Sequence, residues 1–316
     1  MTEAEIREFD TRLRELLDVR VPDGPLDPMV EWSKECDGYV RHRVTYMVDH
    51  GERIAAYLLV PEGSGRRPAM VAAHQHAGDF ALGKSEPAGQ SSNPMFHYGL
   101  DLCRRGYVVI CPDHLCFEER RLPEWRRRDD PMVADSWWER FMATKLFLEG
   151  SSLQAKYLAD LVKAIDYLVT LSEVDGDRIG VIGHSLGGQE ATWLAWFDRR
   201  IGAGASSCGF AMIRAILDHE INHNMALYVP GFLRLGDMDL LTAAIAPRAF
   251  CFSAGEEDGI FPIDSVHHIA RAVGDVYREQ DIGDRFLPVI FPGGHGFPDD
   301  VKEKAYGFLD RQLASS

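Results

Sequence analysis

The stretch Asp177-Arg178-Ile179-Gly180-Val181-Ile182-Gly183-His184-Ser185-Leu186-Gly187-Gly188 decides the reading of this chain. Its first half is a short apolar run after the Val174-Asp175-Gly176 turn and reads as a buried strand. Beyond it, Gln189-Glu190-Ala191-Thr192-Trp193-Leu194-Ala195-Trp196 has neither proline nor glycine and can propagate a helix. At the junction, Gly183-His184-Ser185-Leu186-Gly187 matches G-x-S-x-G, the sharp strand-to-helix turn that holds a nucleophilic serine at its tip. Glycines belong there because the bend is strained and neighbouring backbones approach closely. The competing reading is a glycine-rich loop with an incidental serine, so the serine's partners must carry the case.

A serine hydroxyl becomes a nucleophile only with a histidine base and a carboxylate that orients it. Downstream, Arg248-Ala249-Phe250-Cys251-Phe252-Ser253-Ala254-Gly255 reads as a buried strand running into Glu256-Glu257-Asp258-Gly259. Asp258, on the loop at the strand's carboxyl end, is the expected acid; Glu256 and Glu257 compete but read as solvated loop charges. After a helix-like stretch from Ser265 to Gln280, Phe286-Leu287-Pro288-Val289-Ile290-Phe291 ends in Pro292-Gly293-Gly294-His295-Gly296. His295 thus sits in a glycine-bounded loop after the last strand, where an imidazole can reach Ser185. His267 and His268 lie inside the preceding helix and are poorer candidates. Met70-Val71-Ala72-Ala73 reads as a strand leading into His74-Gln75-His76-Ala77-Gly78. That loop is expected to lend one oxyanion N–H, from His76 or alternatively Gln75, with Leu186 supplying the second. His74 and His76 also raise a metal site, but two histidines lack the third ligand of a catalytic zinc.

These pieces, with Arg105-Gly106-Tyr107-Val108-Val109-Ile110 and Pro112-Asp113, make the chain resemble a serine member of the α/β-hydrolase superfamily. It is most similar in pattern to the dienelactone hydrolase-like and acetyl xylan esterase-like branch, from about residue 50 to the C-terminus. The resemblance implies a mostly parallel eight-stranded sheet with helices on both faces, and ester hydrolysis without a cofactor. One departure is visible: dienelactone hydrolases proper carry a cysteine nucleophile where this chain has Ser185.

Composition is that of a soluble enzyme. At 316 residues and 46% hydrophobic content the chain can bury one large core as a single α/β domain, residues 1–316. A net charge of −15 argues against nucleic acid or an anionic membrane as a partner. The Arg120-Arg121 to Arg126-Arg127-Arg128 stretch is local, is followed by Asp129 and Asp130, and reads as solvated. No apolar run is long enough to span a membrane, and the acidic N-terminus lacks a signal peptide's features. Six cysteines without framework spacing read as buried thiols of a reducing compartment, which makes the cytoplasm the expected location.

Residues 1–20 begin with a capping-box pattern at Thr2 and an apolar stripe of Ile6, Phe9, Leu13, Leu16 and Leu17, to be buried on the body or in a homodimer. Residues 41–48 and 53–60 flank Asp49-His50-Gly51-Glu52 as a hairpin. From residue 70 onward, strand-like and helix-like runs alternate, which argues α/β. Residues 114–150 and 209–246 exceed simple crossovers and follow strand carboxyl ends, where open sheets bind ligands. They are expected to cap the serine with an aromatic wall, for which Trp137, Trp138, Phe210, Met212 and Phe232 are the candidates, with Trp125 nearby.

One competing motif remains: His219-Glu220-Ile221-Asn222-His223 matches H-E-x-x-H, the helical signature of zinc hydrolases, but lacks a third ligand in sequence. The expected activity is acyl transfer from a small-molecule carboxylic ester to water, with no metal. Acetylated sugars, macrocyclic lactones and drug-like esters are the candidate substrates. A peptidase or acyltransferase with the same triad is the alternative.

Overall fold

A computed structural model describes residues 1–49, 51–123 and 134–314. Trp125, the Arg126–Arg128 run, and Asp129 and Asp130 lie outside those residues. Nine strands form one sheet: β1 (Met29–Cys36), β2 (Tyr39–Asp49), β3 (Glu52–Pro61), β4 (Arg67–Ala73), β5 (Val108–Pro112), β6 (Val174–His184), β7 (Ile201–Ser207), β8 (Ala249–Gly255) and β9 (Phe286–Phe291). Their order is β1-β2-β3-β5-β4-β6-β7-β8-β9. The first three strands and the β3–β5 pair are antiparallel, and every later pair is parallel. Eight strands are those the sequence predicts. The ninth, β1, is an added edge strand with seven of its eight residues exposed. With no buried face, it has none of the hydrophobic alternation by which strands are recognised; its Glu31, Lys34 and Glu35 suit an open edge.

The central strands are buried on both faces, so their sequences are nearly continuous apolar runs. Alternate residues face opposite layers. Val71, Ile110 and Val181 point into a large core under α4 (Leu153–Leu168), α5 (Leu186–Phe197) and α8 (Ile263–Glu279). Met70, Cys111 and Ile182 point into a second core under α2 (Tyr98–Arg104) and α9 (Asp299–Gln312). All six cysteines are free thiols, five of them buried. Among the described residues no helix is long and apolar enough to cross a membrane.

Helix α1 (Glu3–Leu17) is capped as expected, with the Thr2 hydroxyl accepting from the Glu5 N–H at 3.3 Å. Its Phe9, Leu13 and Leu17 are buried within the chain itself. Phe9 meets Phe232 edge-on at 6.0 Å, and Trp196 Nε1 donates to Asp10 at 2.8 Å. The chain's own body thus covers Phe9, Leu13 and Leu17 of the stripe, whereas Leu16 is exposed. The second insertion, residues 209–246, lies partly beneath this helix and carries α6 (Ile213–Asp218) and α7 (Met238–Ala243). The first insertion carries α3 (Asp135–Leu148).

Two buried ion networks fasten the loops at the carboxyl edge of the sheet. Lys84 is wholly buried, and its Nζ lies 2.8, 2.5 and 2.7 Å from carboxylate oxygens of Asp113, Glu118 and Glu119. Burial alone would discharge the amine, but Asp113 and Glu118 outweigh it and hold its pKa up. Arg120, expected to be solvated, is instead buried: it donates to Asp160 at 2.8 Å, to the Asp113 carbonyl at 3.0 Å and to Glu52. A local charge run does not reveal carboxylates brought from residues 52 and 160. Removing one partner of such a cluster leaves buried charge uncompensated, at about 3–5 kcal/mol. Lys84→Met is expected to lose stability of that order in urea unfolding; a loss below about 1 kcal/mol would show that the cluster is not held by charge.

Candidate active site

Ser185 occupies the turn between β6 and α5 with φ +54° and ψ −119°, backbone values that a side-chain-bearing residue rarely adopts. The surrounding glycines make that turn possible. A Cβ on Gly183 would lie 2.1 Å from the Gly187 carbonyl oxygen, and one on Gly187 would lie 2.0 Å from the Ala73 carbonyl oxygen. The elbow is therefore pressed directly against the end of β4. The Ser185 N–H donates to the Ser207 carbonyl at 2.8 Å, tying the elbow to β7 as well.

The same device joins the other two strands. A Cβ on Gly255, at the end of β8, would lie 2.2 Å from the Gly294 carbonyl oxygen. The Glu256 and Glu257 N–H groups donate to Phe291 and Gly293 at 2.9 and 2.8 Å, zipping the β8 loop to the β9 loop. This brings Asp258 to His295, with Oδ2 2.7 Å from Nδ1. The other oxygen of Asp258 accepts from the Ile260 N–H at 3.1 Å. Glu256 and Glu257 are exposed. Cys208, at the end of β7, packs beside this pair, its thiol 3.4 Å from the Gly296 carbonyl oxygen; burial pushes the thiol up to about 12.

Ser185 and His295 line one cleft of about 440 Å³. Among the described residues no hydrogen bond joins the serine hydroxyl to the imidazole, a spacing common in substrate-free sites. Gln75 and His76 line the same cleft, and the N–H groups of His76 and Leu186 take no acceptor among the described residues.

The loop that carries Gln75 and His76 is held from every side. Tyr98 donates its hydroxyl to the Ala73 carbonyl at 2.5 Å, and the Gln75 side chain donates to Glu86 at 2.9 Å. His74 is fully buried; its Nε2 accepts the His114 N–H at 3.1 Å, so Nδ1 carries the proton and donates to the Gln75 carbonyl at 2.8 Å. Burial lowers this ring to about 4, and both its nitrogens are taken by protein rather than free for a metal. His76 Nδ1 accepts the Gly78 N–H at 3.0 Å, which leaves Nε2–H facing Glu139 of α3 at 3.3 Å. The same Glu139 oxygen accepts the Met225 N–H at 3.3 Å, tying the first insertion to the second, while His76 Nε2 makes no hydrogen bond among the described residues.

Both insertions line the cleft beside Ser185, mostly with polar groups. Ser136, Glu139 and Arg140 come from the first, and Asn222, His223, Asn224 and Met225 from the second. None of the five expected aromatic and methionine contacts lines the cleft. Phe232 is buried beneath α1 against Trp193, Phe210 packs on Phe252, and Met212 joins the same core. Trp137 and Trp138 stack with Phe141 on α3, and Trp137 is largely exposed. These side chains satisfy the insertions' own packing, a demand that composition cannot separate from ligand binding. Phe80, which sequence reading did not single out, supplies the apolar wall.

The H-E-x-x-H match is not a zinc site. Helix α6 stops at Asp218, and Glu220 has φ +55°, so the two histidines do not share a helical face. His219 Nδ1 pairs with the Ala215 carbonyl at 2.8 Å, whereas His223 lines the cleft of Ser185 and His295.

Residues 54–307 match the family model described as the dienelactone hydrolase family. The chain belongs to the dienelactone hydrolase family. YtaP of Bacillus subtilis (strain 168), which carries a hydrolase name, is 28% identical over 274 residues, covering 83% of this chain and 84% of its own. Solved structures share the fold. A Bacteroides fragilis NCTC 9343 protein described as an acetyl xylan esterase aligns at TM-score 0.73 and 16% identity, over 96% of this chain and 81% of its own. A glucuronoyl esterase from Solibacter usitatus aligns at TM-score 0.67 and 15% identity, over 97% and 92%. This dienelactone hydrolase family member is therefore a hydrolase built on the α/β sheet that its sequence predicts.

Glu86, the anchor of Gln75, gives the site a pH signature. Burial raises its carboxyl to about 7, against the Gln75 hydrogen bond that favours the anion. The folded state thus keeps a proton that the unfolded chain has already released. That stabilisation is complete below the unfolded value of 4.5 and is lost as pH rises through about 7. The unfolding free energy of the wild type is expected to fall from about pH 5 to pH 8 relative to that of Glu86→Gln. Parallel urea-midpoint curves for the two proteins over that range would contradict it.

Proposed function

We propose that this protein cleaves carboxylic esters through a Ser185-His295-Asp258 triad. The observation that carries the reading is the 2.7 Å Asp258–His295 pair opening onto the same cleft as a serine on a strained elbow. His295 takes the hydroxyl proton as Ser185 attacks the ester carbonyl, then returns it to the departing alcohol. Asp258 holds the proton on Nδ1, leaving Nε2 as the base, and stabilises the imidazolium that forms. The oxyanion is met by the N–H groups of Leu186, at the positive end of α5, and of His76, with Gln75 the alternative donor. Water then releases the acyl group by the same steps.

The lining of the cleft supports polar esters over macrocyclic lactones or aryl drugs. Side chains of Ser136, Glu139, Arg140, Asn222 and His223 suit a hydroxylated alcohol such as an acylated sugar. That preference accords with the acetyl xylan and glucuronoyl esterases that share the fold. Ser185→Ala is expected to lower kcat by roughly 10⁴–10⁶-fold with an unchanged circular dichroism spectrum, and Asp258→Asn by about 10⁴-fold. Turnover of acetylated sugars and p-nitrophenyl esters that survives Ser185→Ala would overturn the assignment.

A further inference from the structure

His223 enters the cleft with its protonation already decided by its neighbours. Asn224 Oδ1 accepts the Leu227 backbone N–H at 3.1 Å, which fixes Nδ2 as the donor end of that amide. Nδ2 faces Gln189 Oε1 at 3.2 Å and His223 Nδ1 at 3.2 Å, so both must accept. The direction continues into the core: Gln189 donates to Gln154 at 2.8 Å, and Gln154 donates to Glu190 at 2.8 Å. Glu190 is fully buried, and burial raises its pKa far above the usual carboxylate range. Every amide in this row has one orientation that satisfies it.

The consequence falls on the imidazole. With Nδ1 accepting, the ring proton sits on Nε2, and Nε2 is buried without a hydrogen-bond partner. The Ile260 carbonyl is close enough to favour the charged ring slightly, yet it misses hydrogen-bond geometry. A buried donor left unpaired costs about 1–3 kcal/mol, so a group that pairs it is selected. His223 and the general base flank the same side chain: Phe261 lies 4.9 Å from the His223 ring and 5.8 Å from the His295 ring. The His223 and His295 rings thus pack on one phenyl ring and line the same cleft as Ser185.

We infer that His223 is a specificity-determining residue whose Nε2–H binds an oxygen on the alcohol portion of the ester, next to the scissile bond. This rests on the triad reading and deepens it. The row from Glu190 to Asn224 positions the ring and keeps it a donor. Burial, with His295 and His76 nearby, lowers the ring to about 4, so it stays neutral through the working range.

The test compares trans-2-hydroxycyclohexyl acetate with cyclohexyl acetate, which differ by one oxygen. Wild type should favour the hydroxylated ester in kcat/KM, and His223→Phe should cut that ratio roughly tenfold, the worth of one hydrogen bond. His223→Gln, which keeps a donor, should recover part of it, and His219→Phe should leave it intact. In protein labelled with ¹⁵N-histidine, the signal lost in either His223 variant should report Nε2–H with bare Nδ1 from about pH 5 to 8. A ratio unmoved by His223→Phe, no preference in wild type, or an Nδ1–H ring would each overturn the inference. Ser185→Ala run alongside separates the two readings: its retained activity strikes the triad, whereas an unmoved ratio in a Ser185-dependent enzyme strikes only His223. If His223→Phe does not fold, His223→Leu supplies the ratio and His223→Gln the signal assignment.

Discussion

Contact between bare backbones holds this site together. Gly187 against Ala73, Gly183 against Gly187 and Gly255 against Gly294 are approaches that any Cβ would block at about 2 Å. Two of those contacts press the elbow after β6 onto the end of β4, the third presses the end of β8 onto the loop after β9, and Ser185, Asp258 and His295 ride on the turns they pin. The strain at Ser185 persists because these contacts over-determine it. Side chains then add chemistry to a geometry that the main chain has already set.

Around that geometry lie two kinds of polar burial. Lys84 and Arg120 gather carboxylates from distant segments and are held as charges. The row Glu190, Gln154, Gln189 and Asn224 is built instead from neutral donors and acceptors with a single sense of direction. The first kind resists unfolding of the loops. The second transmits orientation, which a charge network cannot do because ammonium and guanidinium groups only donate.

The sheet, and the juxtaposition of Asp258 with His295 in the cleft that Ser185 lines, were legible because each left a local trace: strands bounded by turns, glycines at fixed offsets from serine and histidine, an acid at a strand end. Strand β1 left none, since its residues are exposed on both faces. The lining of the cleft was illegible for a different reason. Phe210, Met212 and Phe232 have the composition of a binding wall, but the insertions needed them for their own cores. The polar residues that replaced them, Glu139 and Asn224 among them, look like ordinary surface positions until partners from other segments arrive. His223 was visible, but the motif that exposed it pointed to the wrong chemistry. Gln189 and Glu190, just past Ser185 on a helix whose buried residues are otherwise apolar apart from Thr192, were the available signal.

Helix α1 has a consequence for how the enzyme could change. It grips the second insertion through Phe9 and Phe232, and through Asp10 it holds the Trp196 indole on α5. Loosening it would let the roof drift over an intact floor. Variation among the first seventeen positions therefore offers a route to altered selectivity that leaves bond cleavage untouched, a handle remote from the chemistry it tunes.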